Sequence, residues 1–484
     1  MFWYSWLLFF LLRLPSLFEP YWYGDEGVYL SLGQGINHGL TLYSQIHDNK
    51  PPLLYYLASL SSNLPAGWQV LGFRLLLLLW MIPTIYIFYL LSQKFLSKSL
   101  SRYSVLVFII FSSIPLIEGN IANAEIFMLL PTLAALLLFY QPLHSLKFLF
   151  YIGLLLGLAF TLKVPVAIEF FFLLCWSIFV TDKFKFQPKA DPPPVEKIKN
   201  YFVFIFAFSL PIFLFYLYFV IQKAGPQFLF AALLQNFGYL GSWATGTHSA
   251  SASSGGIIWR LVLMFLLWVF LFVLFKKKLL DKKLFFLSAW FMATLFGVLL
   301  SGRPYPHYLI QLLPPLLLLL FSFRRNFYLS LFIFILLGVS IVKYKFYFYR
   351  TFPYYLNFAK YIFKIESLFQ YRQYFGANVN DVYQLSNTIK SKTAPGSFIF
   401  VWGDEPYLYP LASRLPSTKY VVAYHVLDFN GYDLVMSELT AKFPQAIIYN
   451  SSMNRPFPKL DLFLKDYYFL EDQIGPYYLF LPRQ

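Results

Sequence analysis

Charge is scarce in this sequence: Asp, Glu, Lys and Arg supply 12% of its 484 residues, against 59% hydrophobic and 22% aromatic residues. A soluble domain carries roughly 25% charged residues, so an ordinary water-soluble fold is excluded. Cysteine is nearly absent, and the single Cys175 rules out an intrachain disulfide. Neither HExxH nor CxxC spacing occurs among the six His and one Cys, and there is no Walker loop or dinucleotide fingerprint. Nucleotide hydrolysis and the common zinc patterns are thereby excluded. Acidic residues are outnumbered, 22 against 38 Lys and Arg, for a net charge of +16. No nucleic-acid module accompanies that excess. It falls in short loops between apolar runs, where it faces anionic lipid.

What is present in quantity is long apolar runs. Eleven read as membrane spans: 2–19, 69–91, 103–118, 122–141, 148–163, 165–181, 200–222, 257–275, 284–301, 307–322 and 327–343, since about 20 apolar residues cross a hydrocarbon core. Alternate loops carry Lys94, Lys98, Arg102, Lys147, Lys183, Lys185, Lys189, Lys197, Lys199, Lys276, Lys277, Lys278, Lys282, Lys283, Arg324 and Arg325. The opposite loops offer only Lys50, Lys163, Lys223 and Arg303. Cytoplasmic loops collect Lys and Arg, so the N-terminus is expected inside and the loop at 20–68 outside. The first run lacks a small-residue cleavage site and reads as a retained anchor. An odd number of spans puts the tail outside as well. Simple loops and a short N-terminus fit a bacterial plasma membrane.

Composition divides the chain further. Residues 1–343 form the apolar membrane part, and 344–375 are an aromatic, basic connector expected along the interface. Residues 376–484 read as a small α/β domain, with strands at 397–401, 446–449 and 477–481 and helices at 433–442 and 459–466. A Pro-rich connector at 182–199 is expected on the cytoplasmic side. A Gly/Ser-rich stretch at 241–256 is expected outside, as a linker or a lid. The fold class is thus a membrane all-α protein with external juxtamembrane helices and a C-terminal extracytoplasmic α/β domain.

The chemistry-bearing residues gather in the expected external loops. Asp25 and Glu26 follow the first span, where ionisable groups are costly to keep without a use. An oriented carboxylate there can act as general base, and a solvated acidic pair is the plain alternative. Lys50-Pro51-Pro52 reads as the start of a short helix at 51–61, because Pro suits a first helical turn. A Lys at that positive end suits an anion such as phosphate, with Asp48 nearby to pair with it or to hold a metal. Glu118 and the turn Asn120–Glu125 precede an apolar run. There Asn123 can cap the helix and Glu125 can favour its first turn. Lys163 and Arg303 break the positive-inside pattern, and an anion or a snorkelling stem explains each. Arg13, near the outer half of the first span, is ambiguous in the same way. His38, His47, His248 and His307 could approach one divalent ion with Asp48.

Together these residues resemble the GT-C glycosyltransferases of the PMT/ArnT-like group, glycosyltransferase family 39 and its relatives. The resemblance rests on Asp25-Glu-Gly-Val-Tyr29, Gly33/Gly35/Gly39–Tyr43, Asp48-Asn-Lys-Pro-Pro-Leu53, Ala124-Glu125, Leu162-Lys163 and His307-Tyr308. It implies the GT-C fold, a polyprenyl-phosphate-sugar donor, inversion at the anomeric carbon and transfer to a hydroxyl acceptor on the outer face. It also implies that Asp25 is the base, that Glu26 and Glu125 support it, and that Lys50 holds the departing phosphate with help from Lys163 and Arg303. Asp48, Tyr29, Tyr43, His307 and Tyr308 complete the implied substrate site, and no cofactor is required. Members of that group often carry Gly after the later Lys, whereas this chain has Val164-Pro165. A transporter or flippase of lipid-linked sugars is the competing reading, but it calls for ionisable residues at mid-span and internal repeats. A scaffold presenting the tail would leave the clustered acids and bases unused.

Overall fold

The structure, a computed structural model, describes residues 3–141, 145–180, 194–236, 255–322 and 327–483. The Gly/Ser stretch from 241 to 254, His248, Arg324, Arg325 and the Pro-rich connector from 182 to 193 lie outside the described residues. The chain forms two compact units. One comprises Met1–Leu14, Leu77–Tyr218 and Leu233–Thr351, and the other Pro15–Leu76, Phe219–Ala232 and Phe352–Gln484.

The first unit is helical. Four described helices are long and apolar enough to cross a membrane: Gln69–Ser92, Ile198–Ile221, Ile258–Lys276 and Lys282–Leu299. The other apolar runs form shorter helices, among them Leu146–Phe160, Val166–Phe179 and Phe327–Lys343, so eleven full-length crossings are not reached by helix length. The expected span at 103–118 is the helix Lys98–Phe111, which stops short of Pro115. Ile114 is extended, since the residue before proline is driven out of the helical region, and the 3-10 turn over Pro115–Ile117 that follows ends on Glu118, left-handed at φ 59°. The expected span at 122–141 splits into Ala124–Phe127 and Leu129–Phe139.

In the second unit, about half of the stretch expected as an acid-bearing external loop is helical. Gly24–Asn37 carries Asp25 and Glu26 in its first turn, where carboxylates complement the helix dipole. Leu53–Ser62 follows Pro52 as its N-cap, close to the expected start. Three glycines of this helix, Gly27, Gly33 and Gly35, serve close approach. A Cβ on Gly33 would lie 2.7 Å from the Ser59 backbone nitrogen, and one on Gly27 2.9 Å from that of Tyr407. The connector region contributes the helices Thr351–Ile362 and Leu368–Gln373.

The tail folds as expected, with additions. Strands β1 (Phe398–Trp402), β2 (Leu415–Pro416), β3 (Ala446–Asn450), β4 (Tyr468–Ile474) and β5 (Tyr477–Pro482) form one sheet in the order β2-β1-β3-β5-β4. β1 runs parallel to β2 and β3, and β5 runs antiparallel to β3 and β4. The β1 run Phe-Ile-Phe-Val-Trp is buried beyond its first residue, as a strand covered on both faces requires. Phe400, Trp402, Ile447, Val435, Leu439, Phe457 and Leu460 build the core between this sheet and the helices Tyr432–Lys442 and Pro458–Tyr467.

Candidate active site

Two groups of the expected residues assemble, one in each unit. In the second unit the centre is Lys50. Its Nζ lies 3.6 Å from Asp25 Oδ2 and 3.5 Å from Asp48 Oδ2, and 4.9 Å from the centre of the Tyr29 ring. One turn separates Asp25 from Tyr29, whose hydroxyl donates to Asp25 Oδ2 at 3.2 Å. The backbone at Lys50 is fixed from two sides. The Tyr43 hydroxyl donates to its carbonyl at 2.8 Å, and its own N–H donates to the Tyr55 hydroxyl at 3.2 Å. Tyr43 is fully buried and left-handed at φ 70°, with its N–H bonded to the Ile46 carbonyl at 2.6 Å. The hydroxyl bond to Lys50 and the packing against Phe219 and Phe228 hold the tyrosine in that strained conformation.

Asp48 is buried, which alone would push its carboxyl up. Lys50, then His425, the Asn49 N–H and the Tyr55 hydroxyl outweigh burial and hold it at about 2. Asp25, by contrast, is about one-third exposed. The ammonium therefore sits between a locked carboxylate and an accessible one.

Glu26 faces the other way along the helix. Arg74 forks onto it, with Nε 2.9 Å from Oε1 and Nη2 against Oε2. The same guanidinium reaches Glu19 at 3.0 Å and the Ser16 carbonyl at 2.7 Å. Glu19 also accepts from Trp22 and Tyr354. The Glu26 carboxylate is thus taken up in fixing the helix that presents Asp25.

In the first unit, Glu125 opens the helix Ala124–Phe127. Lys163 Nζ lies 2.6 Å from Glu125 Oε1 and 5.1 Å from the centre of the Tyr308 ring. His307 bridges two carboxylates: Nδ1 lies against Glu118 Oε2, and Nε2 is 3.7 Å from Glu125 Oε1. Arg13 clamps the left-handed turn at Glu118 by donating to the Ser112 and Gly119 carbonyls, both at 2.6 Å. Arg303 lies four residues before His307, where its N–H meets Ser301 Oγ at 3.3 Å.

Of the histidines expected near a divalent ion, His248 lies outside the described residues and the other three have separate partners. His38 Nδ1 is 2.9 Å from the Gln34 carbonyl, His47 packs on Tyr420 and Phe429, and His307 serves Glu118. Among the described residues no group of three or more His, Cys, Asp or Glu could hold a metal ion.

Three contributors escaped the sequence reading. Arg74 is a buried cation in an apolar helix, a signal that could have been read. Tyr55 follows the double proline by three residues. His425 gave no local sign at all.

No protein-family model matches the chain, and no curated protein matches it. Among solved structures, ArnT from Cupriavidus metallidurans bound to undecaprenyl phosphate is similar at a TM-score of 0.57 and 12% identity, covering 99% of this chain and 96% of that one. The apo state of the same protein gives 0.55 and 13%, covering 98% and 97%. The chain therefore has the GT-C fold of ArnT.

Proposed function

We propose that the protein is an inverting glycosyltransferase that moves a sugar from a polyprenyl-phosphate donor to a hydroxyl acceptor at the outer face of a membrane. The observation that carries this reading is the Lys50 ammonium held 3.6 Å from Asp25 and 3.5 Å from Asp48 at the start of the helix Leu53–Ser62. A cation beside a helix N-terminus suits a phosphate, and an accessible carboxylate beside it suits a hydroxyl. The ArnT fold, seen in that protein with undecaprenyl phosphate, supports the same donor class.

In the proposed reaction, the acceptor oxygen attacks the anomeric carbon while its proton passes to an Asp25 oxygen. The bond from that carbon to the phosphate oxygen breaks, and the electron pair leaves with the polyprenyl phosphate. Inversion follows from a single displacement. Phosphate leaves as a stable anion, so a fixed ammonium suffices to hold the developing charge and no general acid is needed. Tyr29 orients Asp25, and the Glu26–Arg74 fork holds its helix. In the other unit Glu125, Lys163 and His307 form a second cationic and acidic set, with Arg303 nearby in sequence. An eleven-crossing topology with an extracytoplasmic tail over 376–484, in a bacterial plasma membrane, belongs to the same proposal.

The test is reconstitution with a panel of polyprenyl-phosphate sugars. Transfer should fall sharply in Asp25→Asn with donor affinity retained, and Lys50→Ala should lose donor affinity. Full-rate turnover in Asp25→Asn would remove the base assignment.

A further inference from the structure

His425 lies in the helix Ala423–Asp428 of the tail, 377 positions beyond Asp48 in the chain, yet its Nε2 is 3.7 Å from Asp48 Oδ1. The ring is 4% exposed, and its Nδ1 has no hydrogen-bond partner among the described residues. This contact is built from the backbone outward. The His47 N–H donates to the Lys419 carbonyl at 3.0 Å, forming a parallel bridge with Tyr420. The helix of His425 is tied to the end of β1: the Ala423 N–H donates to the Gly403 carbonyl at 2.9 Å and the Tyr424 N–H to Asp404 Oδ1 at 3.2 Å. A buried imidazole is thus held against the carboxylate that shares the Lys50 ammonium with Asp25.

We propose that His425 is a positioning residue that takes up one proton when Lys50 turns from Asp48 to a phosphate, so that Asp48 keeps a balancing cation. This rests on the reading of Lys50 as the phosphate ligand. With Lys50 at rest, Asp48 already has its cation, and burial keeps the imidazole neutral against the pull of Asp48. Asp428 and Asp25 add to that pull and Lys50 opposes it. The remaining titratable groups around the ring are His47, Tyr420 and Tyr424, with centroids at 5.8, 6.4 and 4.6 Å. Once the ammonium swings to phosphate, Asp48 would keep the Asn49 N–H and the Tyr55 hydroxyl but be a buried carboxylate without a cation, a state that is strongly unfavourable. The imidazole is placed to replace it. The proton comes from the buffer, and no other bond changes.

The experiment is titration calorimetry of the full-length protein in detergent with farnesyl phosphate, in two buffers of different ionisation enthalpy. Close to one proton should be taken up per phosphate bound at pH 7, and affinity should weaken by up to about tenfold per pH unit on the alkaline side. His425→Gln should abolish the uptake and flatten the pH profile, whereas His47→Gln should retain both. Zero uptake by the wild type overturns the proposal whether or not the variant folds. So does an unchanged profile in His425→Gln, or loss of the uptake in His47→Gln alone. Lys50→Ala separates this inference from its premise. If Lys50→Ala binds farnesyl phosphate like the wild type, the phosphate site itself is wrong. If it fails to bind while the wild type takes up no proton, only the role of His425 falls.

Discussion

Asp25 and Asp48 are both carboxylates within 4 Å of one ammonium, and burial assigns them different work. Asp25 is about one-third exposed, and in the proposed reaction it is the base, so Asn in its place should lower kcat by roughly 10²–10⁴-fold, the usual worth of a positioned base. Turnover of a lipid-phosphate sugar measures it. Asp48 is a structural anion. Its folded carboxyl is held at about 2, below its ordinary value of 3.8, so its stabilisation is complete above pH 3.8 and is lost as pH falls towards 2. Asp48→Asn should therefore cost about 2 kcal/mol at neutral pH, read as a lower melting temperature that no longer responds to acid in that window. Arg74 serves two buried acids at once. Arg74→Met leaves Glu19 and Glu26 without their cation and should cost about 3–5 kcal/mol, measured by loss of folded protein in detergent. The Asp25 and Lys50 motifs were legible because they are short and stand out from apolar flanks. The partner of Glu26 was not, since 48 residues separate it from Arg74, and the approach of His425 to Asp48 is set by tertiary packing alone.

At the scale of elements, the pair Gly24–Asn37 and Leu53–Ser62 sets how near Asp25 and Lys50 can come. Gly33 lies where that pair touches. Gly33→Ala puts a methyl 2.7 Å from the Ser59 nitrogen, and because the obstacle is backbone the helices must separate. The expected cost is about 1–3 kcal/mol, with a parallel loss of donor affinity as Lys50 moves away from Asp25. Melting and donor titration of the same variant check both. The glycines at 27, 33 and 35 suggested a loop, yet they are helical because small residues are needed there for contact rather than for turning. The helix start at Pro52 was legible from proline chemistry. β4 was not anticipated, because Glu471-Asp472-Gln473 occupies its middle and a hairpin edge tolerates polar side chains. Its partner β5 carried enough aromatic and apolar residues to be seen.

For the whole molecule, two acids give stability opposite slopes with pH. Glu405 follows β1 and is buried, with hydrogen bonds from Asn450 at 2.8 Å and Tyr477 at 3.1 Å. Burial pushes its carboxyl up to about 7 against those bonds, with Asp404 adding to the rise. A raised acid favours the folded state only while it stays protonated, so a penalty of about 3 kcal/mol should grow from pH 4.5 to 7 and then level off. Together with Asp48, this places the best stability near pH 4, and Glu405→Gln should flatten the upper limb of a melting-temperature profile. The helical membrane part and the α/β tail were both visible in composition. Which chain segments fold with which was not: residues 15–76 belong with the tail in one compact unit although about 275 residues of sequence separate them, most of them in the other unit.

The bridge between His47 and the segment at Lys419–Tyr420 has a consequence for engineering. Exchanging 376–484 for the equivalent tail of another protein of this fold would replace the segment to which His47, three residues before Lys50, is bonded. A graft with one residue more or fewer before position 419 would shift that rung and carry the lysine with it. Swaps that transplant 38–52 together with the tail should keep their activity, and swaps of the tail alone should not.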